Sequence, residues 1–142
     1  MSKFIATLLI ATLGIFALAC GSAGDAGTTA ADTGKAIKSG PAGNLTVTLS
    51  SADGVLRNGK NTLTLKFADA SDKPVDVGAA SLNFHMPHGA TSMNNPATLT
   101  TTGTPGVYSG TVNLEMGGEW QAQITYQGPA GTGKATLPVT AQ

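Results

Sequence analysis

Two imidazoles and two thioethers fall within one short stretch, His85-Met86-Pro87-His88-Gly89-Ala90-Thr91-Ser92-Met93, of a 142-residue chain that has only two histidines and four methionines. Imidazole and thioether together are the donors that soft copper ions prefer, and Cu(I) accepts thioethers that magnesium and calcium refuse. The stretch therefore points to a copper site, for Cu(I) rather than Cu(II), with His88 and Met93 as the leading ligands. Met86 comes next, and His85 and Met116 are further donors. Other chemistry is poorly supplied. The two histidines share one turn region, which leaves no separate base and orienter for a serine triad, so an enzyme is not expected. Zinc usually draws three or four Cys, His or carboxylate ligands. His85, His88 and Glu115 or Glu119 are candidates, yet nothing in their spacing demands it. No glycine-rich loop links a strand to a helix in the manner of a phosphate site. The eight basic and eight acidic residues are scattered without a basic stripe, which argues against a nucleic-acid partner.

The elements that must position these residues read as strands. Leu45, Val47 and Leu49 alternate with Thr46, Thr48 and Ser50, and Leu63, Leu65 and Phe67 alternate with Thr62, Thr64 and Lys66. The same period recurs at Leu82, Phe84 and Met86, at Val112, Leu114 and Met116, from Trp120 to Tyr126, and at Leu137 and Val139. Alternation of this kind marks half-buried strands, and threonine suits their polar face. Asp53-Gly54, Asn58-Gly59, Asp69 to Pro74, Pro105-Gly106, Gly117-Gly118 and Gly128-Pro129 supply turn chemistry between them. No stripe of helical period stands out beyond the N-terminal segment. The expected fold is all-β, an antiparallel Ig-like sandwich of about seven strands over residues 43–142, with a small barrel as the alternative.

Side-chain direction then constrains the site. If Phe84 points inward, so does Met86, and His85 faces the other side of the sheet. Pro87 suits a strand end, which would put His88, Met93 and the loop through Pro96 at one end of the sandwich, with Met116 approaching the same rim. The competing reading is packing: methionine fills cores well, and Met86 and Met116 both fall on the inward phase. Met93 and His88, beside Asn94-Asn95-Pro96 in a polar loop, have less to gain from burial. Trp120 reads as a core anchor.

The N-terminus reads as an export signal over residues 1–19. Lys3 precedes an apolar run from Phe4 to Leu18, too short for a comfortable span, which needs about 20 apolar residues. Ala17-Leu18-Ala19-Cys20-Gly21-Ser22 resembles a bacterial lipobox, with Ala17 in the place where leucine is preferred. On that reading Cys20, the one cysteine, becomes a lipidated N-terminus, and residues 20–42 form a flexible Gly/Ala/Thr tether. A plain signal peptide that leaves Cys20 as a free thiol is the alternative. The protein is thus expected at the cell envelope, lipid-anchored to a bacterial membrane and facing the periplasm or exterior.

Four features in sequence order carry a family resemblance: Asp69-x-x-Asp72-Lys73-Pro74-Val75, Phe84-x-Met86-Pro87-x-Gly89-Ala90, Pro105-Gly106-Val107-Tyr108 and Leu114-x-Met116-x-Gly118-x-Trp120. Together they resemble the YtkA-like domain, a small exported bacterial β-sandwich, over roughly residues 44–140. The resemblance implies an extracytoplasmic domain, often lipid-anchored, associated in some members with copper handling or respiratory-oxidase assembly. A copper-accepting or oxidase-assembly protein is the partner it implies. Members often carry Met-Pro-x-Met, whereas here His88 stands at the second methionine's place. Two functions follow from different classes: a membrane-tethered copper-binding or copper-delivery domain, and a passive Ig-like interaction module without metal.

Overall fold

The computed structural model describes residues 34–142. The signal peptide, Cys20 and the tether up to residue 33 lie outside the described residues. Among the described residues the fold is all-β, with nine strands and no helix: β1 (Lys35–Ala42), β2 (Leu45–Ser51), β3 (Gly59–Ala68), β4 (Ala79–His88), β5 (Thr91–Pro96), β6 (Thr98–Thr101), β7 (Val107–Leu114), β8 (Gly118–Gly128) and β9 (Gly131–Ala141). They form two antiparallel sheets, ordered β1-β2-β3-β7-β6 and β5-β4-β8-β9. The expected β-sandwich is present.

The alternating residues make its core. Val47 and Leu49 of β2, Leu63, Leu65 and Phe67 of β3, Leu82 and Phe84 of β4, Trp120, Ala122 and Ile124 of β8, and Leu137 and Val139 of β9 are all buried between the sheets. Their burial removes apolar area from water, the dominant favourable contribution to folding. Both open sides of the sandwich are closed. On one, β1 lies against β9; on the other, the chain passes directly from β5 in one sheet to β6 in the other at Pro96-Ala97, where the Ala97 N–H donates to the Leu82 carbonyl at 2.9 Å.

Three expectations are corrected here. Residues 35–42, read as tether, form β1, which pairs with β2 from Lys35↔Ser51 to Ala42↔Leu45 through a bulge at Ile37. Its composition hides it: Lys38, Ser39, Gly40 and Pro41 are a covering edge, and only Ala42 is buried. The segment read as a polar loop through Pro96 is β5, paired with β4. And the strand expected to carry Met116 inward ends at Leu114, leaving Met116 in the bend before β8. With β1, β5 and the short β6 the described residues form nine strands, where about seven are expected.

Candidate functional site

The His/Met stretch is a β-hairpin. β4 and β5 pair from Asn83↔Pro96 to His88↔Thr91, and Gly89-Ala90 is the two-residue turn. Gly89 has a φ of 58°, and a two-residue hairpin with glycine first at positive φ matches the right-handed twist of its strands. The Thr91 hydroxyl donates to the His88 carbonyl at 3.0 Å and braces the turn. In a two-residue hairpin the closing pair is hydrogen-bonded, and the bonding direction alternates along the strand. The odd-numbered N–H groups of β4 therefore face β8, where Pro87 has none to give. Pairing of β4 with β8 accordingly ends at His85↔Gln121, and the hairpin tip runs on beyond it.

Met86 and Met93 are direct cross-strand partners. Directly opposed residues share a face, with Cβ atoms roughly 4.5–5.5 Å apart. That face is the inner one: Met86 is 6% exposed and part of the core, while half-buried Met93 packs against it. His88, two residues beyond Met86, belongs to the same face by strand alternation but lies exposed at the tip. So β4 and β5 bring Met86, Met93 and His88 to one face at one end of the sandwich. Met93 is not the loop residue expected from sequence: its thioether gains from packing as well as standing at the rim.

Met116 reaches the same end. It is half-buried against the core, and its carbonyl accepts the Trp120 indole N–H at 3.1 Å, which ties the β7–β8 bend to the start of β8. Gly118 lies between them at φ 127°, and a Cβ built on it would stand 3.3 Å from the Met86 methyl. The absent side chain leaves room for Met86 beneath the bend. All three methionines among the described residues thus gather at the end of the sandwich where Trp120 is buried.

His85 lies apart, as its strand phase requires. It is on the outer face, with Nδ1 3.0 Å from Asn94 Oδ1, an oxygen that also accepts from Asn83 Nδ2 at 3.2 Å. His85 and His88 cannot share an ion with Met86 between them on an intact strand. Among the described residues, no three His, Cys, Asp or Glu side chains gather as a metal-binding group, so the zinc arrangement of His85, His88 and a glutamate does not form. Sequence reasoning missed Asn95, an inward polar residue on β5 whose amide crosses to the other sheet. Its signal was present, since Met93 and Asn95 keep the period of two, but Asn94-Asn95-Pro96 reads as a turn.

No curated protein matches the chain. Residues 41–125, more than half of its length, match the family described as YtkA-like, and the match takes in β2 to β7, most of β8 and the whole hairpin that carries Met86, His88 and Met93. The chain belongs to the YtkA-like family.

Proposed function

We propose that this protein is a membrane-tethered envelope domain that binds copper, as Cu(I) in preference to Cu(II), and delivers it by ligand exchange to a copper-accepting or oxidase-assembly protein. The observation that supports this most is the cross-strand pair Met86↔Met93 with His88 on the same face beyond it. Two thioethers and an imidazole are a soft donor set suited to Cu(I). Met93 and His88 are the accessible ligands, Met86 backs them from the core, and Met116 is a further thioether on the same rim. His85, held on the outer face by Asn94, is not part of this site. Lipid on Cys20 would hold the domain at the membrane.

A Cu(I) competition titration against a chromophoric chelator, run anaerobically on the full chain, tests the reading. Stoichiometric binding by the wild type should vanish in the His88→Ala, Met93→Leu double variant while the melting temperature stays close to wild type. Mass analysis of the mature N-terminus tests the anchor, which requires a diacylglyceryl group on Cys20.

A second reading has its own support. Met86, Met93 and Met116 all pack with the core, as they would in a passive interaction module whose Met-Pro hairpin only shapes the sandwich. On that reading the double variant changes nothing that copper reports, because the wild type does not compete with the chelator either.

A further inference from the structure

The sheet switch between β5 and β6 has a consequence at Asn113. The last β6–β7 pair is Thr98↔Thr111, so Asn113 stands two residues beyond it on β7. The chain that would continue alongside has already crossed over, for Pro96 pairs with Asn83 in the other sheet. A backbone carbonyl that loses its ladder neighbour is open to another donor. Asn95 supplies one: its Nδ2–H donates to the Asn113 carbonyl at 2.7 Å. Asn95 is 9% exposed and directly opposite buried Phe84, and its part-buried bond bridges from an edge strand of one sheet to the facing sheet.

The inner face of the hairpin is then three rungs in order: Phe84 with Asn95, Met86 with Met93, and His88 with Thr91. Among the described residues, β5 has β4 as its one strand neighbour. Whatever fixes its inner face against the opposite sheet decides where the Met93 sulfur lies, and Asn95 is one rung away. We propose that Asn95 is the positioning residue of the soft-donor site: its bond to Asn113 sets the height of β5 over the five-stranded sheet and holds the Met93 thioether opposite Met86. Its functional meaning rests on the copper reading above, whereas its geometric content does not.

The test uses the full chain with ¹³C-methyl methionine, and compares Asn95→Ala and Asn95→Asp with a control, Val47→Ala, buried in β2 away from the rim. The Asp variant keeps the shape but loses the donor, and it carries the test if the Ala variant does not fold. Two readouts are taken: the nuclear Overhauser contact between the Met86 and Met93 methyls in metal-free protein, and Cu(I) affinity by chelator competition. Loss of Asn95 should weaken the methyl contact and lower Cu(I) affinity by about tenfold or more, as removing a residue that orients a metal ligand typically does. The control should leave both unchanged at a comparable loss of melting temperature. A wild-type methyl contact and wild-type affinity in both Asn95 variants would overturn the proposal, as would an equal loss in the control. If the wild type itself binds no Cu(I), the copper reading fails and the methyl contact alone decides the positioning role.

Discussion

Met86 and Met93 have the same side chain and opposite prospects on substitution. Met86 is part of the core, so Met86→Ala should cost roughly 2–5 kcal/mol through lost transfer energy and the cavity left behind. Met93→Leu nearly conserves volume at a half-buried position and should cost less than about 1.5 kcal/mol. Chemical denaturation of the two variants checks the contrast, and it decides which of them can report on metal without reporting on folding. Ionisation gives a second test at this scale. The Arg57 guanidinium, 2.6 Å from Asp53, holds that carboxyl down at about 2 against an ordinary 3.8 by its hydrogen bond, outweighing the opposing desolvation, with the Val55 N–H and Ser51 hydroxyl assisting. The folded form therefore favours the carboxylate. The pairing's contribution to the order of the Asp53–Arg57 turn is complete above the ordinary value of 3.8 and is lost as pH falls through about 2. The Asp53 carboxyl carbon should titrate at that low midpoint, and Arg57→Ala should bring it back toward the ordinary range. Both side chains are exposed, so global stability should barely register the change.

Among the elements, β1 departs furthest from what the sequence suggests. It buries little of itself, yet it covers the edge of β2, lies against β9, and offers the Ala42 carbonyl to the Tyr126 hydroxyl at 3.1 Å. A chain beginning at Asn44 loses this whole set, so it should unfold at a markedly lower temperature than one beginning at Gly34, or aggregate through the uncovered β2 edge. Equal melting curves for the two would show that β1 is dispensable. Strands with one face in the core announce themselves by alternation, which is why β2, β3, β4, β8 and β9 are legible from residues such as Leu63-Leu65-Phe67. A covering edge has no such face to bury, and Lys38-Ser39-Gly40-Pro41 looks like a linker. β5 is hidden for a different reason: its inward residues are Met93 and Asn95, and an inward asparagine makes sense only once the Asn113 carbonyl is seen facing it. Met116 continues the β7 period by one step too many, because periodicity cannot show that the chain bends after Leu114. The site follows the same pattern. The separation of His85 from Met86 is readable from strand phase, and the pairing of Met86 with Met93 is not, since it depends on where the turn falls.

The whole molecule has two chemically unlike ends. At one, Phe67 meets Tyr108 and Tyr126 edge-to-face, with ring centroids 5.9 and 5.3 Å apart, and the two phenols donate to the Gly78 and Ala42 carbonyls. Stiff aromatic groups with satisfied hydroxyls make a rigid seal. The other end carries Met86, Met93, Met116 and buried Trp120, with exposed His88 at the hairpin tip, where unbranched thioethers can adapt their packing. The most direct measurement is a ¹³C-methyl methionine spectrum of the full chain recorded while Cu(I) is added anaerobically to one equivalent. Copper ligation at the rim predicts that the Met93 and Met86 methyl signals shift together and saturate at one equivalent, with the His88 ring signals following. Methyl signals that stay in place through the titration, or that move only in proportion to excess copper, would contradict the account.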